Sequence, residues 1–154
     1  MGFDGYVDEV GRALMLRNRM KVDQLDYRRS LSKLNSFGVS QRRIARDLNI
    51  SQPSLSSALK TAEKVPALRP GFSGADPYEI CLRYSVGDLT QEQVVDELVR
   101  WDYVTPGLDE GSCGSLRFDV SGSFSGVRDA CFDGLIEVEL YNVVLERLVC
   151  ESWG

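Results

Sequence analysis

The chain has 154 residues, 43% of them hydrophobic and 27% charged, enough for one domain of ordinary size or two small ones, and no apolar run approaches bilayer-spanning length. Its net charge of −5 hides a split: residues 1–70 carry 13 Lys/Arg against 7 Asp/Glu (+6), while residues 71–154 carry 5 against 16 (−11), an asymmetry that suggests two tasks, one facing phosphates and one facing something else. There is no histidine, and Cys81, Cys113, Cys131 and Cys150 include no pair at metal-ligand spacing; common zinc sites and His-dependent acid–base or nucleophilic chemistry are therefore excluded, and no cofactor is expected.

The opening MGFDGYVDEV has neither a basic nor an apolar signal region, and Tyr6 stands where a myristoylation site needs Ser or Thr, so a cytoplasmic protein is expected. From Tyr6 to Met20, Val7, Val10, Leu14 and Met15 recur at helical spacing, weakened by Gly11. A second pattern, Leu25, Leu31, Leu34 and Phe37, ends at Gly38, with Tyr27, Arg28 and Arg29 on its outer side. Periodicity leaves open whether these are one helix or two.

The stretch SQRRIARDLNISQPSLSSALK, residues 40–60, is the most informative in the chain. Ile44, Ala45, Leu48, Ile50, Leu55, Ala58 and Leu59 follow a helical spacing that is interrupted once, at Asn49, a residue that tolerates the left-handed backbone of a helix stop. Ser40 and Ser51 suit the two N-caps, and Pro53 fits the first turn of the second helix, where a missing N–H costs little. Two helices of about nine residues joined by a three-residue turn follow from this pattern.

These residues resemble the helix-turn-helix of bacterial and phage repressors and of antitoxin-type regulators. Ala45 stands where that family packs its helices closely, and Ile44, Leu48, Ile50 and Leu55 where it builds a small core; Asn49 departs from the more usual glycine. The resemblance implies that the second helix enters the DNA major groove, with Gln52, Ser54, Ser56 and Ser57 facing bases and Ser51 at its start. It places Arg42, Arg43, Arg46 and Lys60 near phosphates. It also implies a homodimer on double-stranded DNA.

After Ala62, Pro66, Pro70, Gly71, Gly74 and Pro77 mark residues 66–75 as a semi-rigid linker between a basic domain, 1–65, and an acidic one, 76–154. In the acidic part, a helix capped by Asp76 should stop at Gly87, and Thr90 with Gln93 forms a capping box for a second. Trp101, Tyr103, Phe118 and Tyr141 are either core or anchors for a protein partner. Alternation in LRFDV suggests one short strand or hairpin, and the pattern from Ser125 to Cys150 is one helix, or two broken at Asp133-Gly134. The acids Asp129, Asp133, Glu137, Glu139 and Glu146 are expected on a solvated face.

The expected fold is mainly α, with an N-terminal three- or four-helix helix-turn-helix domain and a second helical domain. With no nucleophile, metal cluster or glycine-rich phosphate loop, the chain does not resemble an enzyme. The expected function is a sequence-specific transcriptional repressor whose acidic half holds the dimer or binds another protein. Two alternatives are an antitoxin that neutralises a partner through its acidic half, and a phage or plasmid DNA packaging or partition adaptor.

Overall fold

Helical periodicity becomes seven helices over residues 2–103 and 124–152, the part of the chain that the computed structural model describes: α1 (Phe3–Ser36), α2 (Gln41–Asp47), α3 (Gln52–Ala62), α4 (Pro77–Ser85), α5 (Gln91–Arg100), α6 (Ser125–Phe132) and α7 (Val138–Ser152). There is no strand among the described residues, and the LRFDV segment, with Phe118, lies outside them. The chain divides into two compact units, Met1–Ala67 and Leu68–Gly154.

In the first unit the two N-terminal patterns are one helix. Val22 and Asp23 carry neither glycine nor proline, so nothing interrupts the hydrogen-bond ladder, and α1 continues for 34 residues. It stops at Phe37 and at Gly38, whose φ of 75° takes the chain out of the helix. Helix α3 packs on α1 and α2. The resulting core joins Leu31 to Ile44, Ala45, Leu55, Leu59 and Ala62, with Leu34, Ile50 and Ala58 partly buried against it.

Three residues depart from expectation here: Leu48, Arg29 and also Arg28, which is half-buried where an outer position was expected. Leu48 sits at the C-cap of α2 and is 36% exposed, so it borders the small core instead of filling it. Arg29, expected on the outer side of its helix, is half-buried and donates from Nε to the Pro66 carbonyl at 3.1 Å, which ties the chain after α3 back to α1. Tyr27 is exposed, as its place in the pattern suggests.

The second unit closes a ring of four helices in the order α4, α5, α7, α6, each packed on its neighbours. Ile80, Cys81, Val94, Leu98, Val127, Ala130, Leu140 and Val144 form its buried interior. The Asp76 side chain accepts from the Glu79 amide at 2.8 Å to start α4. The Thr90/Gln93 capping box starts α5, with reciprocal bonds of 3.2 and 2.9 Å. The C-terminal pattern is two helices: Gly134, at φ 79°, ends α6 and lets Leu135 and Ile136 turn inward.

The proline- and glycine-rich stretch is for the most part structure of this second unit. Arg69 lies 4.5 Å over the Trp101 ring, and Phe72 meets the same ring edge-on at 4.8 Å. Ser73 donates to the Glu97 carboxylate through both its amide and its hydroxyl. Gly74 is required by space: a Cβ there would lie 3.0 Å from the Glu79 Cβ and 3.1 Å from two backbone atoms.

Candidate nucleic-acid interface

The arrangement of α2 and α3 follows from three local devices. Ser40 has an extended backbone, and its hydroxyl accepts from the Arg43 amide at 3.3 Å, satisfying one of the unpaired first-turn donors of α2. Helix α2 is closed off just past its Leu48 C-cap by Asn49, the one described non-glycine residue with positive φ, 57°. The Asn49 amide bonds to the Arg46 carbonyl at 3.1 Å and the Ile50 amide to that of Ala45 at 2.9 Å, the paired closure of a Schellman stop, and Ile50 is thereby turned onto the core. Ser51 then opens α3, accepting from the Ser54 amide at 3.2 Å and donating to the Ser54 hydroxyl at 2.7 Å.

Burial of Leu55, Leu59 and Ala62 on one side of α3 fixes what the other side presents. Gln52, Pro53, Ser54, Ser57, Lys60 and Thr61 are exposed, while Ser56 is half-buried at the edge of that face. Arg42, Arg43 and Arg46 are exposed on α2. Arg43 lies 3.8 Å from Asp47, but with side chains 66% and 63% exposed this pair is weak and leaves the guanidinium accessible. Neither α2 nor α3 has an acid in its first turn, so the partial positive charge of both helix starts is uncompensated by their own side chains.

The nine residues expected to meet DNA thus lie on α2, on α3 or at the α3 cap, eight of them exposed. Residues 40–64 carry five Lys/Arg against two Asp/Glu. Sequence reasoning passed over Thr61 and Lys64, which are also exposed at the end of α3 and beyond it. The spacing Ser57, Lys60, Thr61, Lys64 carried that signal.

No family model matches this chain, and no curated protein or solved structure matches it.

The aromatics expected at a partner surface of the second unit have internal contacts. Trp101 is 6% exposed and lies under Arg69 and Phe72. Tyr103 is half-buried, donates its hydroxyl to the Leu98 carbonyl at 2.6 Å and meets Phe124 edge-on at 5.3 Å; the Tyr141 ring lies 5.7 Å from Phe124, tilted by 36°. Two of the acids expected to be merely solvated hold tyrosines: Asp133 accepts from Tyr78 at 2.7 Å and Glu137 from Tyr84 at 3.0 Å. Burial, with the Asp133 carboxylate beside it, pushes the Tyr78 hydroxyl up to about 12, and burial raises that of Tyr84 as well.

The described residues contain no group of three or more Cys, Asp or Glu that could hold a metal ion, and no helix among them is long and apolar enough to cross a membrane.

Proposed function

We propose that this chain is a sequence-specific DNA-binding transcriptional repressor in which α2 and α3 act as a helix-turn-helix and α3 lies in the major groove. The observation that carries the reading is the outward face of α3. It is polar, has no acid, begins at an exposed and well-capped helix start, and is flanked by three exposed arginines on α2. Gln52 can bond adenine through two edges, and the Ser57 hydroxyl can reach a base or a phosphate. Arg42, Arg43, Arg46 and Lys60 neutralise phosphates and set the register without reading sequence.

Association driven by such cations weakens steeply with salt, because each neutralised phosphate releases counterions. The acidic unit, with 16 carboxylates in residues 71–154, is repelled by the duplex and so points away from it, leaving it to bind a protein. An antitoxin role is favoured over a plain repressor to the extent that this partner is basic. Selection of duplexes from a random pool by the full-length chain tests the proposal: one short motif should be enriched. A pool that remains random after repeated rounds would contradict it.

A further inference from the structure

Residues 3–17 of α1 are all exposed, so this half of the helix packs on nothing in its own unit. Large apolar side chains nevertheless cover it: Phe3 is 83% exposed, Val7 60%, Val10 40% and Leu14 52%. Their spacing of four, three and four residues places them on one stripe of the helix, and the same alternation continues to Arg17 and Lys21. Gly5 and Gly11, both inside this segment, disfavour an isolated helix, so a further contact is needed to hold it.

We infer that this stripe is an interface between two copies of the chain, paired antiparallel along residues 3–21 of α1. Charge selects both the occupant and its direction. In a parallel pair the seam would set Arg17 against Arg17 and Lys21 against Lys21. The antiparallel pair instead puts Val10 over Leu14, Val7 against the Arg17 stem and Phe3 against Lys21, because these six positions form a palindrome in which each pair of numbers has the same sum. Long basic side chains cover apolar surface with their methylenes while their charged ends stay in water, and the ammonium of Lys21 over Phe3 adds a cation–π contact. The same overlay brings Asp4, which flanks the seam, alongside Arg17 and Lys21 of the other copy, where the parallel one sets Asp4 beside Asp4. Nineteen residues give a seam of about 28 Å. This inference stands apart from the DNA reading, since it concerns the free protein.

Sedimentation of the full-length chain without DNA tests it. A dimer at micromolar concentration is expected, and the double variant Val10→Asp with Leu14→Asp should weaken association at least a hundredfold. Both positions are exposed in the single chain, so circular dichroism should show the rest of the fold intact. Direction is read by mixing Val10→Cys and Leu14→Cys chains whose Cys113, Cys131 and Cys150 are replaced by serine: oxidation should give the mixed disulfide. A parent that is monomeric at tens of micromolar would overturn the inference. So would a double variant that stays dimeric, crosslinks of Val10→Cys only to itself, or a monomer that instead uses the stripe to bind anionic phospholipid vesicles.

Discussion

The two units share one way of ending a helix but differ in the charge they bury. Asn49, Gly87 and Gly134 each take positive φ after a helix, and in each the next two amides close back on the preceding turn: Asn49 on Arg46 and Ile50 on Ala45, Gly87 on Tyr84 and Asp88 on Arg83, Gly134 on Cys131 and Leu135 on Ala130. Helices α1, α4 and α5 place Asp4, Glu79 and Glu92 in their first turns, whereas α2, α3 and α6 place no acid there. The second unit also buries charge. Glu79 accepts from Arg83 at 3.0 and 3.1 Å and from the Ala75 amide at 3.2 Å, and Glu97 holds Ser73. The buried core cluster of the first unit is wholly apolar, and its exposed arginines and lysine on α2 and α3 remain at the surface. Three charged side chains of the second unit, Glu79, Arg83 and Glu97, thus fix internal geometry, whereas the cations of α2 and α3 stay in contact with solvent, as the proposed anion-facing surface requires.

The largest expected effects break this comparison at its two cores. Leu55 is fully buried, so Leu55→Ala should cost the first unit about 3 kcal/mol through lost burial and an unfilled cavity. Glu79→Ala leaves Arg83 buried without its main partner and should cost the second unit about 3 kcal/mol or more. Peptide-resolved hydrogen exchange should show each loss confined to its own unit; protection lost throughout the chain in either variant would mean that the units do not fold separately.

A smaller effect sharpens the likeness between the stops. Asn49→Ala forces a Cβ-bearing residue without a local hydrogen-bonding side chain into positive φ and should cost roughly 1 kcal/mol. Asn49→Gly should be neutral or slightly stabilising. Denaturant midpoints in this order confirm that the backbone conformation, and not an Asn side-chain contact, is what the turn needs.

A further effect is on the pH dependence of the second unit. Burial pushes the Cys81 thiol from 9.0 up to about 12, with Asp76 adding to it, and Tyr78 from 10.0 to about 12. Raised pKa values mean that the unfolded chain loses these protons first. Their contribution is therefore full below about pH 9 and is lost as pH rises toward 12. Thermal melts between pH 8 and 11 should show the decline for the second unit, and Tyr78→Phe should flatten it above pH 10.

What could be foreseen from the residues was local. The caps Ser40, Ser51, Asp76 and Thr90 and the stop at Asn49 act within a few residues of themselves, so each was legible where it stands. The break at Gly134 was one of two readings, because a lone glycine inside a helical pattern costs only about 1 kcal/mol and need not end it. Non-local contacts left no such mark. Proline and glycine at 66–77 signalled irregular backbone, but nothing in their spacing said that Arg69 and Phe72 would pack on Trp101, thirty residues away. Arg29 looked exposed by periodicity until its acceptor, Pro66, was brought beside it by the return of the chain. The stripe from Val7 to Leu14 was visible as a helix face, and its extension to Phe3 was not; a spacing does not tell whether a face is covered by its own chain or by another.

In the proposed function α3 reads bases while α2 holds the DNA backbone. On the selected operator and on random DNA, each titrated over a range of salt, Gln52→Ala should weaken operator binding by about 1 to 3 kcal/mol and leave random binding nearly unchanged. Arg43→Ala should weaken both alike and reduce the salt slope by about one. Equal losses on both duplexes for Gln52→Ala, with the salt slope intact for Arg43→Ala, would contradict the account.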